Sequence, residues 1–411
     1  MTHIFFFTEN DRSSVYGRGT YLKQMITCLQ DVKNISLHIV EFFTQESEFQ
    51  ITKEENFSVY SFPAQNISSF LLFKYYHNCW YILKSYMEIE ENDKIIFHLN
   101  FLKEYELVKY MKEDFPSCKV IFTLHYQHWA SLLNGDLSLY KKILKKQEEK
   151  PDDKFEEVYS NYLAEKRVFD GVDHIICLSE FTAELLKNSY HIPQNKIVII
   201  HNGLEHNFPN ISREEKEKTR KKLWIEKKEK IILFVGRLDA TKGINLLIQA
   251  FEKVLQTDPD CRLVIIGDGD FPACFQKNKT CWSKITFTGR LKKEELYEFY
   301  QIADVAALPS VHEQCSYVAI EMMGFGLPIV SSSGYGLLEM IQSYENAKIV
   351  SIKRDDGEEY LSLEELSRNL IDSISVTNRK GQIPDRYQLK NIQKNIFLSI
   401  IIFKSIINKI I

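Results

Sequence analysis

The stretch 230-KIILFVGRLDATKGINLLIQAFEKVL-255 decides the fold. Lys230–Val235 is a nearly continuous apolar run, the pattern of a strand covered on both faces. Gly236 ends the run, and a helix begins near Gly243, with Ile244–Leu255 at helical spacing. Strand, short loop and amphipathic helix together are the repeating unit of a parallel sheet with helices on both sides. The loop between them holds two cations, Arg237 and Lys242.

The alternation continues in both directions. Downstream, Arg262–Gly267, Lys284–Thr288, Val305–Leu308 and Leu327–Ser331 read as strands, with helical spacing over Lys292–Ala303 and Tyr317–Phe325. Upstream, Ile4–Phe7, Leu37–Phe43, Lys94–His98, Lys119–Leu124, His174–Leu178 and Lys196–Ile200 read as strands. The stretches after Gly19, around Glu104–Met111 and around Phe181–Leu186 read as helices. Because the pattern starts twice, two doubly wound α/β domains are the economical architecture. The boundary falls between Asn207 and Lys230, where Pro209 and the run SREEKEKTRKKLWIEKKEK lie. Such a run is a solvated helix with opposite charges as neighbours. The charged stretch Tyr140–Lys154 also reads as a solvated helix followed by a turn at Pro151, although Lys141, Lys142, Lys145 and Lys146 could meet an acidic acceptor or a membrane.

The composition agrees with two medium-sized domains. The chain has 411 residues, 44% apolar and 26% charged, with 52 Lys+Arg against 56 Asp+Glu. A net charge of −4 with only 16 Gly and 10 Pro excludes a disordered, collagen-like or strongly nucleic-acid-binding chain. The eight cysteines form no C-x-x-C pair, which points to a reducing cytoplasm. The start, MTHIFFFTEN, is too short in its apolar part for a signal peptide and reads as a first buried strand. The Ile-rich tail, Ile396–Ile411, contains Lys404 and Lys409. It is a packed terminal helix or a peripheral membrane contact, but too short and too charged for a membrane span.

Ligands of open parallel sheets bind at the carboxyl ends of the strands. Four features of the second half fall there. Arg237 and Lys242, beside helix-start amides, make a place for a diphosphate, or else are solvated charges at a turn. Glu313 and Glu321, in 312-HEQCSYVAIE-321, place one carboxylate at a helix entrance and another two turns along. Carboxylates accept paired hydrogen bonds from vicinal hydroxyls, so this pair could hold two sugars. Glu321 lies among apolar neighbours and must find partners. Ser331–Glu339 puts Gly334 and Gly336 at a strand end, where a ligand can approach or the chain merely turns. Gly267-Asp268-Gly269-Asp270 reads as a structural turn and lacks the remaining ligands of a calcium loop. In the first half, Ser14-Val15-Tyr16-Gly17-Arg18-Gly19 is half of a dinucleotide fingerprint. His125 follows a strand and either points toward a ligand or is a satisfied histidine at a strand end. His128 and Trp129 are candidates for the acceptor side, and Tyr335 for the donor side, of a sugar-lined surface.

These motifs resemble the retaining, GT-B-fold glycosyltransferases of family four. The resemblance rests on Gly236–Gly243, Ile266–Gly269, Phe287–Leu291, Ala303–Ser310, the Glu313-x7-Glu321 element and Gly326–Val330, in that order. Leu178-Ser179-Glu180 and His201-Asn202-Gly203 match in the first half. The resemblance implies two Rossmann-like domains facing a central cleft. It divides the chain into an acceptor domain (1–207), a donor domain (208–385) and a terminal helix (386–411) that crosses back to the first domain. It implies retaining transfer from a UDP- or GDP-linked sugar to an acceptor hydroxyl, without a metal or other cofactor. The acceptor, linkage and oligomeric state stay open, and no nucleic-acid partner is implied. Position by position, Arg237, Lys242, Glu313 and His125 are the expected catalytic set. Gly17, Gly19, Gly236, Ser316, Tyr317, Glu321 and Gly336 are the expected donor-binding set. The family's Gly-Phe-Gly after the first glutamate is Gln314-Cys315-Ser316 here, and Tyr335 interrupts the later glycine pair. These departures keep two alternatives open: a non-catalytic partner of the same fold, and a nucleotide-sugar epimerase.

Overall fold

The structure is a computed structural model. It describes residues 1–10, 17–64, 71–101, 105–145, 153–205, 208, 212–276, 280–355, 358–376 and 381–396. The described residues within Met1–Gln127, Glu149–Ile200 and Gln393–Ile411 form one compact unit, and those within His128–Glu148 and His201–Ile392 a second. Neither unit is therefore continuous along the chain.

The first unit is built on eight strands: β1 (Thr2–Glu9), β2 (Ile35–Thr44), β3 (Gln50–Lys53), β4 (Phe57–Pro63), β5 (Lys94–Leu99), β6 (Lys119–Leu124), β7 (His174–Cys177) and β8 (Ile197–Ile199). Their order is β3-β4-β2-β1-β5-β6-β7-β8, and every pairing is parallel except that of β3 with β4. The chain runs outward from β1 in one direction, then restarts at β5 on its other side. β1 is buried along its whole length, which is why it reads as an unbroken apolar run. Helices Gly17–Leu29, Leu72–Tyr86, Tyr105–Asp114, Asp153–Gly171 and Glu180–Ser189 accompany the sheet. Ser179 starts the last of these, its hydroxyl accepting from the Thr182 amide.

The second unit carries six parallel strands: β9 (Lys230–Val235), β10 (Cys261–Ile266), β11 (Ile285–Gly289), β12 (Val305–Leu308), β13 (Ile329–Ser332) and β14 (Ala347–Val350). The order is β11-β10-β9-β12-β13-β14. Here the reversal falls between β9 and β12. Helix Ile244–Thr257 buries Ile244, Leu247, Ile248, Phe251 and Val254. The helix Leu363–Ile374 packs Leu366 and Leu370 into the same core.

Both sheets with their helices match the expected doubly wound architecture, and nearly every anticipated strand is present within a residue or two. The charge run forms helix Arg213–Lys222, with a reciprocal Ser212/Glu215 cap and no buried side chain. The elements not anticipated have weak patterns. β3 is mostly exposed and has no apolar run. Helix Leu72–Tyr86 mixes aromatic and polar residues, and its buried Tyr75, Tyr76, Cys79, Trp80 and Leu83 emerge only in the fold.

Two expectations are corrected. Tyr140–Lys154 is not simply a solvated helix: Leu137–Lys145 buries Leu137, Tyr140 and Ile143 in the second unit, while Lys141 and Lys142 are exposed. Lys146 and Pro151 lie outside the described residues. Trp129 is not a ligand-lining ring, because it is buried, stacked on Tyr140 at 5.0 Å. At the other end, Ile396 is buried and lines a small apolar cavity together with Ile4, Phe6, Ile96 and Ile176 of the first unit. Residues 397–411 of the Ile-rich tail lie outside the described residues. Among the described residues, no helix is long and apolar enough to cross a membrane. All eight cysteines are buried.

Two histidines of the first unit tie its stability to pH. His98 is buried, with Nε2 2.7 Å from the Thr123 hydroxyl, and burial pushes its pKa down to about 3. His38 stacks on Phe5 at 4.2 Å and is pushed down to about 4, by burial and then by His3. Both folded values lie below the ordinary 6.5, so between these pH values the unfolded chain binds more protons than the folded one. Stability should therefore fall as pH drops from about 6.5 toward 4, by about 1–2 kcal/mol per histidine at pH 5. Urea midpoints read across this range check it, and His98→Gln should flatten the slope.

Candidate active site

In the second unit, the loops that leave β9 and β12 lie side by side because those strands are neighbours at the reversal of strand order. The β9 loop is shaped by Asp239. Its Oδ1 accepts from the Thr241 hydroxyl at 2.6 Å and from the Lys242 amide at 3.2 Å, closing a short turn over Ala240–Lys242. Gly243 follows at φ +67°, and a Cβ there would stand 2.2 Å from the Pro309 carbonyl oxygen. Only glycine permits this approach. The Val311 amide donates to the Thr241 carbonyl at 2.9 Å and joins the two loops.

Across this junction, Lys242 Nζ donates to Glu313 Oε1 at 2.5 Å, with both side chains largely buried (20% and 13% exposed). Arg237 pairs with Asp239 at 3.2 Å in a more open setting, 41% and 35% exposed. The first pair is the stronger constraint, since partly exposed pairs are screened by water.

Glu313 is held from two more directions. Its amide donates to the Tyr335 carbonyl at 2.9 Å. Gly336, at φ +75°, comes so close that a Cβ would stand 1.9 Å from the Glu313 carbonyl oxygen. Gly334 approaches the Ser310 carbonyl similarly, at 2.2 Å. In this structure, both glycines of the Gly-Tyr-Gly loop are thus required by packing against the glutamate loop. Next to Glu313, His312 is buried edge-on to Trp129 at 5.4 Å. Burial pushes its pKa down to about 4, against a smaller opposing pull from Glu313.

Asn202 is the residue whose role sequence reasoning missed. It is buried, and its Nδ2 donates to the Cys315 carbonyl at 2.6 Å, fixing the chain just before the following helix. The signal in the sequence is the His201-Asn202-Gly203 match, which marks the position but not its partner Cys315. Ser316 caps that helix, Tyr317–Gly324, its Oγ accepting from the Ala319 amide at 3.3 Å. The Ser316 amide faces Met340 Sδ at 3.2 Å, a weak acceptor. Tyr317 is the first helical residue and half-buried.

Glu321, two turns along, is half-buried. Its Oε2 accepts from the buried Tyr300 hydroxyl at 2.8 Å. Phe325 stacks on Tyr300 at 5.2 Å, and Tyr297 meets Phe325 at 5.0 Å. Burial in this aromatic nest pushes the Glu321 carboxyl up to about 7, while the Tyr300 bond and Lys293 pull the other way. The two glutamates of the spaced pair therefore differ: Glu313 faces an ammonium, and Glu321 a neutral phenol.

Gly236 needs no special freedom, because a Cβ there would meet only the Phe234 ring at 3.4 Å. Its carbonyl oxygen is what matters: a Cβ on Gly267 (φ +143°) would stand 1.8 Å from it. The Gly267–Asp270 loop is thus a packed turn, held by the Leu238 amide donating to the Asp268 carbonyl at 2.9 Å.

In the first unit, His125 is half-buried after β6, with Nε2 3.0 Å from Asn100 Oδ1 and its ring edge-on to Tyr21 at 4.7 Å. Gly17 and Gly19 open helix Gly17–Leu29, while Ser14–Tyr16 lie outside the described residues. Among the described residues, no three His, Cys, Asp or Glu side chains are grouped so as to hold a metal ion.

Both halves of the chain match family models. Residues 17–208 match Glycosyltransferase Family 4, and residues 215–371 match Glycosyl transferases group 1. The chain is 34% identical over 228 residues to the uncharacterized glycosyltransferase MJ1607 of Methanocaldococcus jannaschii, covering 54% of this chain and 57% of that protein. It is 26% identical over 183 residues to D-inositol 3-phosphate glycosyltransferase of Mycobacterium sp. strain KMS, covering 43% of this chain and 40% of that protein. The chain thus spans about half the length of the curated relatives it matches. Its fold is similar to that of sucrose-phosphate synthase from Thermosynechococcus elongatus, with a TM-score of 0.71, 16% identity, and 98% and 100% of the two chains covered. Anabaena HepE in complex with UDP and glucose gives a TM-score of 0.69 at 16% identity, covering 97% and 98%. Likeness at this identity establishes the GT-B fold.

Glu321 supplies a test in the free protein. Its folded pKa is raised, so its contribution is favourable at low pH and is lost as pH rises through about 7. Glu321→Gln should be more stable than the wild type at pH 8, by about 1–3 kcal/mol, and the difference should vanish near pH 4. Urea denaturation of both proteins at the two pH values reads this out.

Proposed function

Since this chain belongs, by both of its halves, to the glycosyltransferases that join these two domains, we propose that it moves a sugar from a nucleoside-diphosphate sugar to an acceptor hydroxyl with retention of configuration. The observation that carries the reading is the Lys242–Glu313 pair, which joins the two loops at the strand reversal of the second unit. It sets a fixed cation beside a carboxylate, the chemistry needed for a diphosphate attached to a sugar.

In this reading, Lys242 and Arg237 take the diphosphate. The Arg237–Asp239 pair is open to water and exchanges readily for phosphate oxygens. Glu313, oriented by Lys242, accepts from hydroxyls of the donor sugar. Glu321, oriented by Tyr300, accepts from the ribose. In the second unit, Gly236, Ser316, Tyr317 and Gly336 are the proposed donor contacts; in the first unit, taken by itself, Gly17 and Gly19 are proposed for phosphate and His125 for the transferred sugar. The bond from the anomeric carbon to the phosphate oxygen breaks as the acceptor oxygen bonds to the same face of that carbon. The acceptor's proton passes to the leaving phosphate, and Lys242 and Arg237 stabilise the charge that develops there. The reading assigns no metal. UDP and GDP are the proposed nucleotides, and UDP and UDP-glucose are the ligands named for the similar Anabaena structures. The cytoplasm is the proposed site of action, with a peripheral membrane contact where the acceptor is a lipid.

UDP-glucose and GDP-mannose serve as probes. One of them should raise the melting temperature of the full chain, equivalent to about 2.7 kcal/mol at a hundredfold excess over Kd. Lys242→Ala and Arg237→Ala should each lower nucleotide release by about 100-fold while circular dichroism stays unchanged. Undiminished release in both variants overturns the clamp.

A further inference from the structure

The carboxyl ends of β1, β5 and β6 bring together a polar cluster that the proposed chemistry uses only through His125. Asn100, one residue past β5, is buried. Its Nδ2 lies 3.3 Å from the Phe7 carbonyl oxygen and 3.5 Å from that of His98. Carbonyl oxygens only accept, so the amide nitrogen must face them and Oδ1 must face outward. Oδ1 meets His125 Nε2 at 3.0 Å. Being itself only an acceptor, it requires the hydrogen on Nε2. A neutral imidazole has a single N–H, so Nδ1 carries a lone pair.

The surroundings keep the ring neutral and still. Burial, the Arg18 charge and then His98 push the His125 pKa down to about 3. Arg18 is itself anchored, donating to the Glu9 carbonyl at 2.5 Å. The Tyr21 ring that packs edge-on to His125 is tied by its hydroxyl to Thr123 at 3.0 Å. Among the described residues, the hydrogen bond found for the His125 ring is the one from Nε2 to Asn100.

We propose that Asn100 is a positioning residue that holds His125 in the Nε2–H tautomer, so that Nδ1 is presented as an acceptor for a sugar hydroxyl and not as a donor to a carboxylate or phosphate oxygen. This rests on the reading of His125 as a contact of the transferred sugar. It adds a selection rule: the sugar must offer a hydroxyl at that place, and a uronic acid carboxylate would meet a lone pair.

Long-range proton–nitrogen correlation NMR of the full chain, labelled with nitrogen-15 histidine, tests the tautomer without any ligand. In the wild type, His125 Nδ1 should resonate as an unprotonated imidazole nitrogen and Nε2 as a protonated one. Asn100→Ala should move both signals toward the average of the two tautomers and lower UDP release from UDP-glucose by about tenfold. Asn100→Asp keeps an acceptor opposite Nε2 and should retain the Nε2–H signature. A protonated Nδ1 in the wild type, or unmoved signals in Asn100→Ala, overturns the role of Asn100 even if the donor reading stands. Full UDP release by His125→Ala overturns the reading of His125 itself, and this inference with it.

Discussion

A lysine and a glutamate 2.5 Å apart, carried by the loops after two neighbouring strands, set the geometry on which the second unit depends. The pair is largely withdrawn from water, so losing one partner leaves the other charge poorly compensated. Its geometry is purchased by backbone, not by side chains. Gly243 lies on the Pro309 carbonyl, Gly336 on the Glu313 carbonyl and Gly334 on the Ser310 carbonyl. Asn202 then fixes the chain at Cys315, just beyond the glutamate.

The same unit holds two carboxylates of one motif in opposite electrostatic settings. Glu313 is matched to an ammonium in the interior, whereas Glu321 is matched to a phenol and crowded by aromatic rings. A carboxyl that burial pushes up to about 7 readily gains from a ligand that brings hydrogen-bond donors. The difference fits one residue oriented by charge and another waiting for hydroxyls. Free energy of this kind is held as unfavourable desolvation in the free protein and is relieved by binding.

The first unit shows the complementary strategy, a polar cluster with almost no exposed charge. Glu9 is buried and accepts from the Tyr76 hydroxyl, Arg18 donates to the Glu9 backbone, and His98, Thr123 and Tyr21 are joined by hydroxyls. Low dielectric strengthens each of these bonds and makes any vacancy costly, so such a network holds side chains in defined orientations. That is how one asparagine can decide which nitrogen of His125 carries its proton.

The strands and most helices were legible because burial on both faces of a parallel sheet leaves unbroken apolar runs such as Phe5-Phe6-Phe7 and Ile231–Phe234. The exposed strand β3 and the aromatic helix Leu72–Tyr86 were not, since neither carries a clear period. Sequence alone also determined the loop bearing Arg237 and Lys242 and the spacing of Glu313 and Glu321, because motif spacing is a property of one chain segment. Only the tertiary structure decided that Lys242 meets Glu313, that Trp129 is buried beside His312, that Gly334 and Gly336 serve the glutamate loop, and that Asn202 and Asn100 act as supports. Each of these joins residues far apart in the chain, and distances of that kind are set by strand order and packing, which no local pattern encodes.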